Sequence, residues 1–316
     1  MPDWIIERGI GEDRALLIEN DRVLEAKCRW HGELHPGQQV EAKLTAKRGS
    51  RGTGELADGR EILLDKLPRE LTEGANLPIV ITRSAIAERG RLKLPSARPA
   101  ETVRTGTADV FETGRTVHRF QAGSWEDIWE EASRGQVDFT GGSLLFAVTP
   151  AMTLIDIDGD LGPRELGVNA AHVIGDMLGR FDLGGSIGID FPTLEAKADR
   201  KAVDAALDEA LDHWPHERTA MNGFGFVQLV ARLEGPSLLH RMATSRVGAA
   251  ARMALRRAER VEGAGITLLT VHPALKAKLR PEWLEELEKR TGRQVRIETD
   301  PGLAIEAAAA QIISHD

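Results

Sequence analysis

The chain has 316 residues, with 49 acidic against 41 basic side chains, a net charge of −8 and one cysteine. Its 41% apolar and 28% charged content excludes disordered, collagen-like and disulfide-stapled chains, and the length predicts two domains with room for a small appended module. No apolar run approaches the roughly 18 residues of a membrane span, and Met1-Pro2-Asp3-Trp4 opens no signal pattern; a cytoplasmic location is expected, and the acidic balance argues against general coating of nucleic acid but not against a local basic track.

Residues 1–100 hold no phenylalanine and read as short strands at Ala15–Ile18, Val23–Ala26, Gln39–Leu44, Glu61–Leu64 and Leu77–Thr82. Turns at Glu19-Asn20-Asp21 and Ala57-Asp58-Gly59 space them as in a small β-barrel. Lys47-Arg48-Gly49-Ser50-Arg51-Gly52 reads as a flexible basic loop suited to phosphates, or equally as a solvated hairpin tip. From Leu94 to Val137 the pattern weakens to a connection with one short amphipathic helix around Trp125, Ile128 and Trp129. The main core is predicted to start at Gly141-Gly142, with strands Ser143–Val148 and Met152–Asp158. A helix follows, because Leu166, Ala170, Val173, Ile174, Met177, Leu178 and Phe181 recur at helical spacing before Gly184, and then a strand at Ser186–Phe191. A second helix spans about Glu195–His213. A third, Ala249–Arg260, puts Arg252, Arg256 and Arg260 on one face, either a basic stripe for RNA or a solvated surface. Strand Ile266–Val271, helix Ala274–Arg290 and strand Val295–Glu298 form a terminal α/β unit.

The alternation Leu154-Ile155-Asp156-Ile157-Asp158 puts two carboxylates on one face of a strand. One helix separates that strand from the next, the signature of a crossover between parallel strands, so Asp190 ends the second strand as Asp156 ends the first. Three acids, Asp156, Asp158 and Asp190, are thus expected to converge on a hard cation, Mg²⁺ with Mn²⁺ as substitute, in a site suited to phosphodiester chemistry. The alternative is that they pair with Arg164 or Arg180 and only finish the strands. Cys28 alone cannot build a thiolate cluster, so neither structural zinc nor a zinc-linked dimer is expected, leaving a monomer or a dimer through another surface. The histidines suggest no catalytic arrangement.

Leu154-Ile155-Asp156-Ile157-Asp158-Gly159 resembles the opening motif of haloacid-dehalogenase-type phosphatases, but Asp160 stands where that family has Thr, and Gly175-Asp176 falls inside a helix. A longer run is similar to the RNase E/RNase G endoribonuclease family. It comprises Gly141-Gly142-Ser143, Leu154 to Asp158, Asn169-Ala170-Ala171 and Asp182-Leu183-Gly184-Gly185-Ser186-Ile187-Gly188-Ile189-Asp190-Phe191, in the family's order. Phe224-Gly225 and Leu233 to Leu238 extend the resemblance, which covers about half the chain.

The resemblance implies an α/β fold. An OB-like RNA-binding barrel would lie within residues 1–100, a linker or RNase H-like remnant at 101–138, a DNase I-like catalytic domain at 139–240 and a small α/β domain at 241–316. It implies an Mg²⁺-dependent endoribonuclease that cuts single-stranded RNA with activated water, leaving 5′-phosphate and 3′-hydroxyl ends, with no DNA or membrane partner. Asp156 and Asp190 match the family's metal-binding aspartates, and Arg218 matches an arginine near the scissile phosphate. Arg89 replaces a lysine that closes the barrel segment. The barrel's phenylalanines have no counterpart, so Lys43, Lys47, Arg48, Arg51 and Arg89 are expected to hold RNA by charge. Asp158 stands for an Asn, and the 5′-end sensor and the Cys-Pro-x-Cys zinc link are missing. A non-catalytic RNA-binding cofactor is the alternative reading, with the phosphatase behind it.

Overall fold

In the computed structural model, which describes residues 2–88, 90–102 and 109–314, strands β1 (Asp3–Arg8), β2 (Glu12–Glu19) and β3 (Arg22–Trp30) form an antiparallel meander. Its tight turn uses Asn20 and Asp21 at φ 50° and 64°, the left-handed pair that a two-residue hairpin requires. The chain then enters β4 (Gln39–Arg48), β5 (Arg51–Leu56), β6 (Glu61–Asp65) and β7 (Asn76–Arg83). After a small hairpin, β8 (Ile86–Glu88) with β9 (Arg91–Lys93), strand β10 (Ser96–Pro99) joins β6 and β7 and closes a five-stranded barrel, order β10-β6-β5-β4-β7. Leu44, Ile62, Leu64, Ile79, Ile81 and Ala97 fill it as a core of its own.

The first three strands lie outside that barrel. After α1 (Val110–Thr113), β11 (Arg115–Val117) pairs with β1 in parallel, so the chain leaves one sheet, builds the barrel and returns, giving order β11-β1-β2-β3. Nor is the segment before Gly141 merely a connection: α2 (Ser124–Arg134) buries Trp125, Ile128 and Trp129 in the main core, and β12 (Gln136–Phe139) becomes a sheet edge.

That sheet continues through β13 (Gly142–Val148), β14 (Thr153–Gly159), helix α3 (Pro163–Arg180), β15 (Gly185–Asp190), α4 (Lys197–Leu211), β16 (His216–Arg218) and β17 (Phe226–Ala231), in order β12-β13-β14-β15-β17-β16. Strands β14 and β15 are parallel neighbours joined through α3, as the spacing predicts. One face of the sheet, with Leu144, Ile155, Ile157, Ile187, Ile189, Val227 and Leu229, is buried under Ala170, Ile174 and Leu207 of the helices.

Helix α5 (Leu238–Arg260) is longer than predicted, bends at Ser245 (φ −143°, ψ 47°) and runs through the centre of the molecule. Two of the three arginines in its stripe are not solvated, and the third, Arg260, is only partly exposed. Arg252 and Arg256 are buried, 6% and 2% exposed. Arg256 Nε donates to Glu7 Oε1 at 2.6 Å, and its Nη1 to Glu126. Arg252 Nε donates to the Gly11 carbonyl at 3.0 Å, and its guanidinium lies 3.9 Å from the Trp30 ring centroid. Arg14, also buried, reaches Glu7 at 2.9 Å and Glu12 at 2.7 Å. The charge that periodicity assigns to a surface therefore locks α5 onto the N-terminal sheet.

The terminal unit comprises β18 (Ile266–Val271), α6 (Pro273–Lys276), α7 (Pro281–Thr291), β19 (Val295–Thr299) and β20 (Ala309–Ile313), with sheet order β19-β18-β20. The single helix expected over Ala274–Arg290 is split because Pro281 cannot donate into a preceding turn and so opens a new helix instead. No helix among the described residues is long and apolar enough to cross a membrane.

Candidate functional site

Alternation along β14 turns Ile155 and Ile157 into the core and leaves Asp156 and Asp158 exposed on the opposite face. Asp190, the last residue of β15, stands directly beside Asp156 in the parallel register. Neighbouring strands are about 4.8 Å apart, which puts both carboxylates within reach of one ion. Asp158 lies about 6.6 Å further along its strand, past the end of β15 and opposite Ser143 of β13. The expected convergence of three acids is therefore a close pair with a third one pleat repeat away, and no group of three or more His, Cys, Asp or Glu placed to share a metal is present among the described residues.

Among the described residues, no cationic side chain neutralises this cluster. Arg164, an expected partner, pairs with Asp199 at 3.6 Å, and Arg180 pairs with Glu131 at 3.0 Å. Among the described residues, the one hydrogen bond to Asp156 comes from the backbone N–H of Ile157, at 3.1 Å. Two exposed carboxylates in register without a basic partner repel each other. As a donor set they fit a hard divalent cation of the Mg²⁺ class, which takes one or two protein carboxylates and fills its shell with water and phosphate oxygens.

Arg218 is not on this face. On β16 it pairs in register with the fully buried Leu229, so it points toward the helices. There its Nη1 donates to Asp204 at 2.6 Å, its Nε and Nη2 donate to Asp208 at 2.9 and 2.6 Å, and two backbone carbonyls accept as well. It is a strut between β16 and α4, with no donor left for a phosphate on the acidic side.

The basic residues of the barrel are divided in a similar way. The expected flexible loop is a tight hairpin, with Lys47 and Arg48 ending β4 and Arg51 beginning β5. The Lys47 ammonium donates to the carbonyls of Pro68, Arg69 and Leu71 at 2.6, 2.9 and 2.6 Å, and so fastens the β6–β7 connection. Arg51 pairs with Asp65 at 3.2 Å. Lys43 and Arg48 remain exposed on β4. Arg89 lies outside the described residues.

Two features of the acidic face escape the sequence pattern. Asp138 on β12 occupies the same row as Ser143 and Asp158, a relation visible only once strand register is known. Phe224, in the loop before β17, is 85% exposed, the most exposed large apolar side chain among the described residues. A crevice of 790 Å³ opens beside the carboxyl ends of β14 and β15, between the start of α3 at Gly162–Asn169 and the Thr193–Asp199 segment. No protein-family model matches the chain.

Proposed function

We propose that this protein is a divalent-metal-dependent endoribonuclease acting on single-stranded RNA, with Mg²⁺ as the natural ion and Mn²⁺ as a substitute. The observation that carries the reading is the in-register pair Asp156 and Asp190, exposed at the carboxyl ends of two parallel strands with no basic partner among the described residues. Ligand crevices of open α/β sheets lie at such ends. The order of sequence motifs shared with RNase E/RNase G-type enzymes supports it independently, with the barrel as the OB-like RNA-binding module and the six-stranded sheet with its helices as the DNase I-like catalytic body.

Asp156 and Asp190 would hold the ion, and Asp158 would bind water in its outer shell or a second, weaker ion. A divalent cation there supplies positive charge against the phosphodiester oxygens and acidifies an attacking water. The carboxylates fix where that charge sits, and the uncovered sheet face gives a flexible single strand access to it. Attack on phosphorus with departure of the 3′-oxygen leaves 5′-phosphate and 3′-hydroxyl ends. The phosphatase reading loses support because Asp176 of Gly175-Asp176 is on α3, paired with Arg22.

A labelled single-stranded RNA incubated with the protein should be cut internally in Mg²⁺ and left intact in EDTA. Asp156→Asn and Asp190→Asn should each lower the rate by about 100-fold or more, since loss of even an outer partner of a metal ligand costs 10–100-fold. Cleavage that survives EDTA or both substitutions would overturn the proposal. One observation favours a second reading, an RNA-binding cofactor without cleavage: the arginine expected near the phosphate is locked on the other side of the sheet. Binding without cleavage in the same assay would select it.

A further inference from the structure

The proposed metal pair would position a phosphate, but a phosphate alone does not orient a single strand. Beside the pair stands an aromatic ring that the fold leaves in water. Phe224 belongs to the loop that leads into β17, two residues before Phe226, which is the strand partner of Asp190. The loop is fastened at both ends. Asn222 Oδ1 accepts the N–H groups of Phe224 and Phe226 at 2.8 and 3.1 Å, and the Asn222 N–H donates to the Phe226 carbonyl at 3.1 Å. The Phe191 N–H, next after Asp190, donates to the Gly225 carbonyl at 3.2 Å. Gly225 adopts φ +88°, and a Cβ there would stand 2.6 Å from the Phe191 carbonyl oxygen, so the loop is pressed against the end of β15.

The backbone is thus held in place while the ring stays free. Beside it, apart from its chain neighbours, nothing lies within 4 Å of where a Cβ of Gly223 would be, so the loop next to Phe224 faces open space. The neighbouring sheet face is also apolar. Phe226 lies over Gly188, where a Cβ would be 2.6 Å from its Cζ and 3.0 Å from both Leu154 Cδ2 and Met152 Sδ. Those three side chains are half-buried, so the far more exposed Phe224 ring stands out from them and is not part of the broad exposed patch of a protein interface. A ring so placed is the form taken by stacking platforms for unpaired bases, which accept any base because every base has a π-face.

We infer that Phe224 stacks on an unpaired nucleobase next to the phosphate held at Asp156 and Asp190, fixing the strand's position on the acidic face. The inference rests on the endoribonuclease reading and adds to it the grip that the barrel, which has no phenylalanine, does not supply.

The test uses the full chain and a set of short single-stranded RNAs carrying 2-aminopurine, or an abasic site, at successive positions around the cleavage site. Binding is measured with Ca²⁺ in place of Mg²⁺, so that the acidic pair carries a cation, and cleavage in Mg²⁺. With the wild-type protein, 2-aminopurine fluorescence should be quenched at one position near the cut. Phe224→Ala should remove that quenching and weaken binding by about 5- to 150-fold, the usual value of one stacked base, while Phe224→Trp restores binding. An abasic site at that position should weaken wild-type binding by a similar factor and leave Phe224→Ala unchanged. At 85% exposure the substitution should not alter thermal unfolding.

RNA cut normally by Phe224→Ala, with the same fluorescence pattern, would overturn this inference and leave the endoribonuclease standing. Wild-type protein that neither binds nor cuts RNA would overturn both. Sedimentation showing that Phe224→Ala abolishes self-association without affecting RNA would also overturn it, assigning the ring to a second copy of the chain.

Discussion

Asp156 and Asp190, like charges side by side, work against the fold, and the proposed cation would relieve them. Like charges opposite each other on neighbouring strands cost a few tenths to about 1 kcal/mol, so in EDTA Asp156→Asn or Asp190→Asn should raise the melting temperature slightly, although in Mg²⁺ the same variants lose cleavage. Mg²⁺ should raise the melting temperature of the wild type and have much less effect on either variant, since only a ligand of the native state stabilises it. Differential scanning fluorimetry with and without Mg²⁺ checks both outcomes. Glu7 shows the opposite behaviour. Burial alone would raise its pKa, but hydrogen bonding and charge from Arg256, the charge of Arg14 and the Phe120 N–H together hold the carboxyl below its usual 4.5. A depressed acid contributes stability above its unfolded-state pKa and loses it as pH falls through the lower native value. Urea unfolding should therefore show stability declining below about pH 4.5, and Glu7→Gln should flatten that decline. The same variant should cost about 3–5 kcal/mol at neutral pH, because it leaves the buried Arg14 and Arg256 without their shared counter-charge. The acidic pair is legible in the sequence because period-two alternation sets the face and one intervening helix sets the neighbour. The locking of Arg218 by Asp204 and Asp208 is not, because it depends on how α4 docks on the far side of the sheet.

At the level of elements, helix α3 and strands β14 and β15 lie where the apolar pattern puts them, since each has a single buried face and few ways to satisfy it. Helix α5 defeats the same reasoning. Arginines at four-residue spacing look solvated, yet here Arg256 is buried against carboxylates from β1 and α2, and Arg252 against the Gly11 carbonyl and the Trp30 ring, all remote in sequence. Basic residues in the barrel hairpin present a similar ambiguity, and it can be tested. Lys47→Met keeps the stem but leaves three carbonyls without their charged donor. It should cost about 1–3 kcal/mol in barrel stability, read as earlier melting, and leave the salt dependence of RNA binding nearly unchanged. Arg48→Ala should leave melting alone and reduce the slope of log K against log salt by about 0.7, the contribution of one phosphate on a single strand.

On the scale of the whole molecule, two large cores and a small third one of Ile6, Ala15 and Phe111 share one chain. The barrel's apolar interior is separate from the main core and is inserted between β3 and β11, two strands that belong to one sheet. A fragment of residues 34–100 should therefore fold alone, giving a dispersed amide spectrum and cooperative melting. A collapsed or unfolded fragment would show that the contacts at Arg241–Glu33 and at Ser84, whose N–H donates to the Glu234 carbonyl, are needed to hold the barrel shut. The sequence places the barrel correctly but extends it to the N-terminus, because a strand's pattern reports that it is half-buried without reporting which sheet buries it.

The arginine lock on α5 also dictates an order of birth. Glu7 leaves the ribosome 249 residues before Arg256, its partner, an interval of roughly 12–50 s at ordinary elongation rates. Throughout that time Arg14 alone receives the carboxylates of Glu7 and Glu12 that the first sheet turns inward, whereas the barrel, whose strands follow one another closely, can close as soon as it emerges. The nascent chain thus carries a finished barrel ahead of an unfinished body, and anything that halts synthesis before α5 releases the barrel without the sheet's final lock.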